Sequence, residues 1–179
     1  AKYEITVKAN SATATYDGKE HEAVGVETYE FTVEGNSYTV SGLSTEDPKQ
    51  KDAGSYTNNI TGTPVVTDKD GNVVTSEFEV KTENGSLEIG KAAVTLKSAT
   101  LSKKYDGNAL VNGDTALEIE SGFAEGEGAT YNFTGSQTVV GSSANAFSYE
   151  LNGNTNIDNY EISKQEGTLH RLAPLVMGI

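Results

Sequence analysis

Cysteine and tryptophan are missing from this 179-residue chain, methionine occurs once, proline three times and histidine twice. Without cysteine there are no disulfides, thiolate metal sites or cysteine nucleophiles. The two histidines, His21 and His170, stand isolated in the sequence, and no serine lies in a G-x-S-x-G nucleophile elbow, so the groups that serve nucleophilic catalysis are scarce. Positive charge is also short. Thirteen Lys and Arg face 26 Asp and Glu, a formal net charge of −13, and the basic residues form no stripe that would neutralise a phosphate backbone. Nucleic acid is therefore not an expected partner. No apolar run approaches the ~20 residues needed to span a bilayer, so membrane insertion is not expected either. The chain opens Ala1-Lys2-Tyr3, without an initiator methionine or a signal-like apolar region, which suggests a mature segment or fragment of something larger.

What is plentiful is glycine, serine, threonine and asparagine, a balance that suits short strands joined by many turns. An internal repeat sets the domain organisation. Ile5 to Gly18 reads ITVKANSATATYDG and Val94 to Gly107 reads VTLKSATLSKKYDG, at a constant offset of 89 residues with no gap. The ends repeat as well, Asn84-Gly85-Ser86-Leu87 against Glu166-Gly167-Thr168-Leu169, at an offset of 82. Two modules follow, residues 1–90 and 91–179, which differ by internal loops and not by plan. Both are acidic, with 7 basic and 16 acidic residues in the first and 6 and 10 in the second. The junction Gly90-Lys91-Ala92-Ala93 is too short for a flexible tether, and a fairly stiff rod is the geometric expectation.

Period-two alternation dominates. Tyr29, Phe31 and Val33 alternate with Glu30 and Thr32, and Tyr38 and Val40 follow across Gly35-Asn36, which predicts a tight hairpin. Phe78 and Val80, then Tyr131 and Phe133, then Phe147, Tyr149 and Leu151 behave alike. Helical patterning is confined to Thr45–Asp52, which contains Pro48, and Asp114–Ser121. The expected fold is all-β with room for one short helix per module: two tandem Ig-like or β-grasp-like units of six or seven strands each. The stretch Leu172–Ile179 (LAPLVMGI) is the most apolar. Pro174 would interrupt a strand there, so it reads as a frayed tail, the alternative being a segment that adds to a neighbouring sheet edge.

Tyr16-Asp17-Gly18 and Tyr105-Asp106-Gly107 are the most specific short feature, since the same triplet sits at the same place in both copies. Tyrosine can bury its ring beside the first strand while Asp-Gly supplies a turn with a left-handed position. Repetition argues for scaffold over a catalytic Tyr–Asp pair. Asp68–Glu79 (DKDGNVVTSEFE) has the acidic spacing of a calcium loop, but Val73 stands where the sharp turn needs glycine and the flank alternates as a strand, so Asp70-Gly71-Asn72 reads as a hairpin turn. The pairs Glu118/Glu120 and Glu125/Glu127 are the nearest thing to glycosidase carboxylates, yet pairs of this kind arise by chance in so acidic a chain. The loop Gly122–Gly128 is glycine-rich but carries two negative charges and no following lysine, so it would repel phosphate. No cofactor or metal site is expected.

At the YDG triplets the chain resembles a known family, the tandem YDG/MBG-type repeat modules of Gram-positive bacterial cell-surface proteins and adhesins. The likeness rests on ITVKANSATATYDGKEH, YEFTVEGNSYTVSGLS, DAGSY and VVTDKDGNVVTSEFEVKTENGSLEI in the first copy. In the second it rests on KKYDGNALV, FAEGEGATYNFTGSQTVVGSSANAFSYEL and NYEISKQEGTL, and together these cover nearly the whole length. The resemblance implies display at the bacterial cell surface or cell wall, β-rich modules in arrays, neighbouring repeats as partners, and no catalytic residues to carry over. The chain departs from the pattern at its close, where His170-Arg171-Leu172-Ala173-Pro174 replaces the usual alternating strand. Some surface modules of Gram-positive bacteria carry a Lys–Asn isopeptide bond. Lys8 and Lys97 hold equivalent first-strand positions, but the bond needs lysine, amide and a carboxylate buried together, and alternating charges on a solvent face account for them more simply. The expected function is a non-catalytic stalk or spacer. The alternative is an adhesive module that binds host glycan, mucin or extracellular-matrix protein through aromatics such as Tyr29, Tyr38, Tyr131 and Tyr149.

Overall fold

The alternation becomes strands throughout. A computed structural model describes residues 2–174 and divides the chain into two compact units, Ala1–Gly90 and Lys91–Ile179. The first holds ten strands: β1 Tyr3–Lys8, β2 Ala12–Thr15, β3 His21–Glu22, β4 Glu30–Val33, β5 Asn36–Thr45, β6 Lys49–Gln50, β7 Gly54–Asn58, β8 Ile60–Asp68, β9 Phe78–Glu83 and β10 Gly85–Gly90. The second holds eight: β11 Ala92–Lys97, β12 Leu101–Lys104, β13 Ile119–Ser121, β14 Ala129–Phe133, β15 Gly141–Ala144, β16 Phe147–Leu151, β17 Tyr160–Gln165 and β18 Thr168–Leu172. The fold is all-β, with more and shorter strands per unit than the alternation alone indicated. Each unit has one three-residue 3-10 turn, Thr75–Glu77 and Ile157–Asn159. Neither lies where the sequence looked helical. Thr45–Asp52 is the end of β5 and all of β6, and Asp114–Ser121 is a turn running into β13, because Pro48 and the Asp114 side chain, which accepts from the Ala116 N–H, both favour non-helical backbone.

The same frame underlies both units. β1 pairs parallel with β9, from Tyr3 opposite Phe78 to Lys8 opposite Glu83, and β11 pairs parallel with β17, from Ala92 opposite Tyr160 to Lys97 opposite Gln165. Next to these, β2 and β7 flank β10, and β12 and β15 flank β18, the first neighbour parallel and the second antiparallel in each case. Parallel neighbours cannot be joined by a hairpin, so the rest of each module is threaded between its first and last strands. The remaining sheets differ. Unit one has β4-β5-β8 and the small β3-β6 pair, whereas unit two has β14-β16 alone and adds β13 to the edge of β11. The β3-β6 ladder shrinks there to a single bridge between Leu110 and Gln137.

Alternation also sets the core. In unit one Ile5 and Val7 of the first strand, with Ala9 just after it, meet Val40, Ile60, Val66 and Phe78, with Tyr29, Phe31, Val33 and Tyr38 at the margin. In unit two Ala92, Val94 and Leu96 bury the matching face, and Phe147, Tyr160 and Leu169 are buried as well. Each fully buried aliphatic contributes about 1.5–3 kcal/mol. The β4–β5 hairpin forms as expected but one residue early. Val33 pairs with Asn36, so Glu34 and Gly35 make the turn, at φ of 50° and 79°, the primed geometry that matches strand twist. The last strand forms too: β18 alternates, with Leu169 and Arg171 inward, so an arginine takes the place of an apolar residue. Leu172 closes β18, and Leu175–Ile179 lie outside the described residues.

Candidate functional site

The repeated triplets are turns that tie the second strand to the last. Tyr16 N–H donates to Gly90 carbonyl and Tyr105 N–H to Leu172 carbonyl, each at 2.8 Å. Asp17 accepts from the Lys19 backbone N–H and Asp106 from the Asn108 N–H, each at 2.9 Å, while Gly18 and Gly107 adopt φ of 78° and 83°, open to glycine at little cost. Beyond the backbone the copies diverge. Tyr16 is buried at 6 % exposure, as the sequence suggested, but Tyr105 is 44 % exposed, so its ring is not part of the core. His21 Nε2 lies 2.8 Å from Asp17, whereas Asp106 takes the guanidinium of Arg171, whose side chain is fully buried and also donates to the Asn108 carbonyl. The Lys19 N–H, then His21, holds the Asp17 carboxyl below the usual range. The Asn108 N–H, then Arg171, draws Asp106 down to about 2.

Two buried asparagines escaped the sequence reading. Asn58 and Asn145 are fully buried at the ends of β7 and β15, and each amide nitrogen reaches the carbonyl that follows the first strand, of Asn10 at 3.0 Å and of Ala99 at 2.9 Å. They sit 87 residues apart, in SYTNNI and SSANAF, a spacing shared by Ser55 and Ser142 and by Ile60 and Phe147. That constant offset was the available signal. Gly85 and Gly167 stand beside the same carbonyls, where any Cβ would lie closer than 3.0 Å to the oxygens of Asn10 and Ala99. Asn84 and Glu166 complete the set by accepting from the N–H of Ile60 and Phe147. These groups hold the point where both chain ends pass from one sheet to the next. They are already hydrogen-bonded to backbone, and their chemistry is that of pins.

The remaining candidates are dispersed. Asp68 caps its own turn by accepting from the N–H groups of Asp70 and Asn72, and Phe78 and Val80 beyond it lie in β9, so the acidic loop is a turn running into a strand. Among the described residues no three His, Asp or Glu side chains are grouped to hold a metal ion. Lys8 and Lys97 are half exposed and face Glu83 and Glu118 at 3.9 and 3.8 Å, a solvent-face placement unlike the burial an isopeptide bond requires. Glu127 accepts from the Tyr160 hydroxyl at 2.8 Å. Of the four tyrosines considered for adhesion, Tyr38 stacks edge-on to Phe78 and Tyr131 to Phe147, and all four are partly buried. Tyr131 hydroxyl is buried without a hydrogen bond of ordinary geometry. Burial, with the Glu120 carboxylate nearby, pushes its ionisation well up.

One Ser–His contact, Ser142 Oγ to His170 Nδ1 at 2.7 Å, was not foreseen. The matching residues of unit one, Ser55 and Glu88, make the same cross-strand bond at 2.6 Å, which identifies it as a sheet-surface pair. Two shallow polar troughs lie on strand faces, one of about 390 Å³ over β4 and β5 with Glu30, Thr32, Ser37 and Thr39, the other of about 320 Å³ over β14 and β16 with Thr130, Asn132, Ser148 and Glu150. No helix among the described residues is long and apolar enough to cross a membrane. Compared with known proteins, the chain matches no family model, no curated protein and no solved structure.

Proposed function

We propose that the two units are non-catalytic spacer modules of a bacterial cell-surface, adhesin-like protein, and that they supply length and resistance to load. One observation carries this reading. In each unit the first two strands are parallel neighbours of the last two, β1 beside β9 and β2 beside β10, then β11 beside β17 and β12 beside β18. Tension applied through the two ends of a unit drags these neighbours past each other along their length. The evenly spaced bonds of a parallel ladder are then loaded together and not one at a time.

Two further features support it. The residues that the sequence marks as special serve as turns and pins in both copies, and both units are acidic, which favours solvation and disfavours self-association. The extracellular setting, and neighbouring repeats as partners, follow from the resemblance to YDG/MBG-type modules. The polar troughs favour the second reading, an adhesive module for host glycan, mucin or matrix protein, because hydroxyl and carboxylate side chains line both. A screen of the full chain against those ligands at physiological salt separates the two: the spacer reading expects no saturable binding, and saturable, salt-resistant binding that maps to either trough would replace it with the adhesive one.

A further inference from the structure

The two units differ at the outer edge of their second sheet. In unit one the edge of β5 is covered by the unit's own strand β4, with Val40 N–H donating to Tyr29 carbonyl at 2.8 Å. In unit two β14 has a neighbour on one side only, β16, among the described residues. The bonding pattern shows which groups face outward. Asn152 N–H donates to Gly128 carbonyl and Thr134 N–H to Ala146 carbonyl, both at 2.9 Å, so the residues in step with these, Thr130 and Asn132, bond to β16. In an antiparallel pair the alternate residues then direct their N–H and C=O away from the partner, and here these are Ala129, Tyr131 and Phe133. A strand edge of this kind is a template for another strand.

The surroundings specify what would fit. A cleft of about 320 Å³ runs along β14, walled by the Asn112–Thr115 turn and by Tyr131, Asn132 and Phe133. Within the turn Asn112 donates to the Asp114 carbonyl and Asp114 accepts from the Ala116 N–H, while Asn112 Oδ1 accepts from the Asn145 amide. Charge at this margin is negative. Asp114 and Glu120 make no ion pair among the described residues, and Glu120 is close enough to Tyr131 to act on its hydroxyl.

We infer that the outer edge of β14 is a strand-capture site, which takes an extended basic peptide as a further strand of the β14-β16 sheet. Main-chain bonds to Ala129, Tyr131 and Phe133 supply the register, and lysine or arginine side chains facing Asp114 and Glu120 supply selectivity. The site does not depend on the spacer reading, because a unit that bears load along its ends can also take a strand at its side.

The test titrates the full chain with an alternating valine–lysine peptide, followed by fluorescence anisotropy and residue-resolved amide exchange, with an alternating valine–glutamate peptide as control. Saturable binding of the basic peptide alone is expected, with the N–H groups of Ala129, Tyr131 and Phe133 becoming protected. Ala129→Pro removes one outward N–H and leaves the β14–β16 ladder intact, and it weakens binding by on the order of tenfold, equivalent to about 1.4 kcal/mol. The exposed pair Asp114→Asn with Glu120→Gln gives a second loss of affinity without touching the backbone. Equal binding of both peptides, no binding of the basic one, or binding without protection at β14 would overturn the inference. So would a concentration-dependent dimer abolished by Ala129→Pro, since a second copy would then be the occupant.

Discussion

At the close of their last strands the two units solve one problem with different side chains. In unit one the inward position is Ile89, 3 % exposed, and the turn carboxylate of Asp17 is met by His21 from a neighbouring strand. In unit two the same position is Arg171, 2 % exposed, which itself meets Asp106 and lies 5.9 Å over the Tyr105 ring. The backbone does not register the change: the parallel ladder to the second strand and the Tyr N–H to carbonyl bond are the same in both. What must be kept is a satisfied Asp-Gly turn. A buried charge is tolerated in an apolar place only because it is paired and hydrogen-bonded on arrival. At this turn the main-chain bonds repeat, and the side chain that meets the aspartate differs.

The largest test of that division lies at the glycines. Gly85→Ala and Gly167→Ala each force a Cβ against backbone oxygen, and each is expected to cost ~3 kcal/mol or more, a large part of a normal stability of roughly 5–15 kcal/mol. Residue-resolved amide exchange on the full chain should show loss confined to the unit changed. Loss of under about 1 kcal/mol at either site would mean the crossing point is not fixed as described.

The buried asparagines come next and should separate the units. Asn58 bonds the carbonyls of Asn10 and Gly25 and accepts from Asp47 N–H, while Asn145 reaches Ala99 and Asn112 and its own Oδ1 has no partner. Removing a partner from a buried group costs about 1–3 kcal/mol per group, so Asn58→Ala should destabilise unit one more than Asn145→Ala destabilises unit two. Denaturant melts that rank them in the opposite order would break the comparison.

Acid should also divide the units. In unit one Asp17, Asp47 and Asp68 all have lowered carboxyl pKa values, the causes being, in turn, the Lys19 N–H, the Thr45 hydroxyl and the Asn72 N–H. Among the described residues of unit two the lowered carboxyl is Asp106, held at about 2. A carboxyl lowered in the folded state adds stability that is complete above its unfolded value, about 4, and is lost as pH falls toward the folded one. Unit one, with three such carboxyls, is therefore expected to lose exchange protection first as pH drops below about 4, while the Asp106 contribution to unit two fades over the same range and is gone by about 2. Earlier loss in unit two would contradict this. The smallest effect is a gain: Tyr131→Phe deletes a buried hydroxyl that has no hydrogen bond of ordinary geometry and should raise the stability of unit two by about 0.5–1 kcal/mol, whereas Tyr29→Phe, whose hydroxyl reaches Leu43 carbonyl at 3.5 Å, should not.

Much of the frame was legible because strands and turns are local. The alternation around Phe31 and Phe147, the offset of 89 and the Asp-Gly turns all correspond to observed elements. What stayed hidden depends on distance along the chain. Nothing local to Arg171 predicts that it meets Asp106, 65 residues earlier, and nothing in YTN or SAN alone shows that the asparagine is fully buried. The two helical stretches misled because apolar spacing in short polar segments is weak against proline and Asx turns. No catalytic constellation was proposed from sequence, and the residues that repeat in space are those that hold backbone.

The most direct test of the load-bearing claim is single-molecule pulling on the full chain through its two ends, compared with pulling that peels β10 from β7 and β18 from β15. The account predicts two unfolding events from the chain ends, each at a higher force than peeling needs, since the first geometry shears the parallel ladders and the second opens bonds in succession. Equal or lower force from the ends would contradict it.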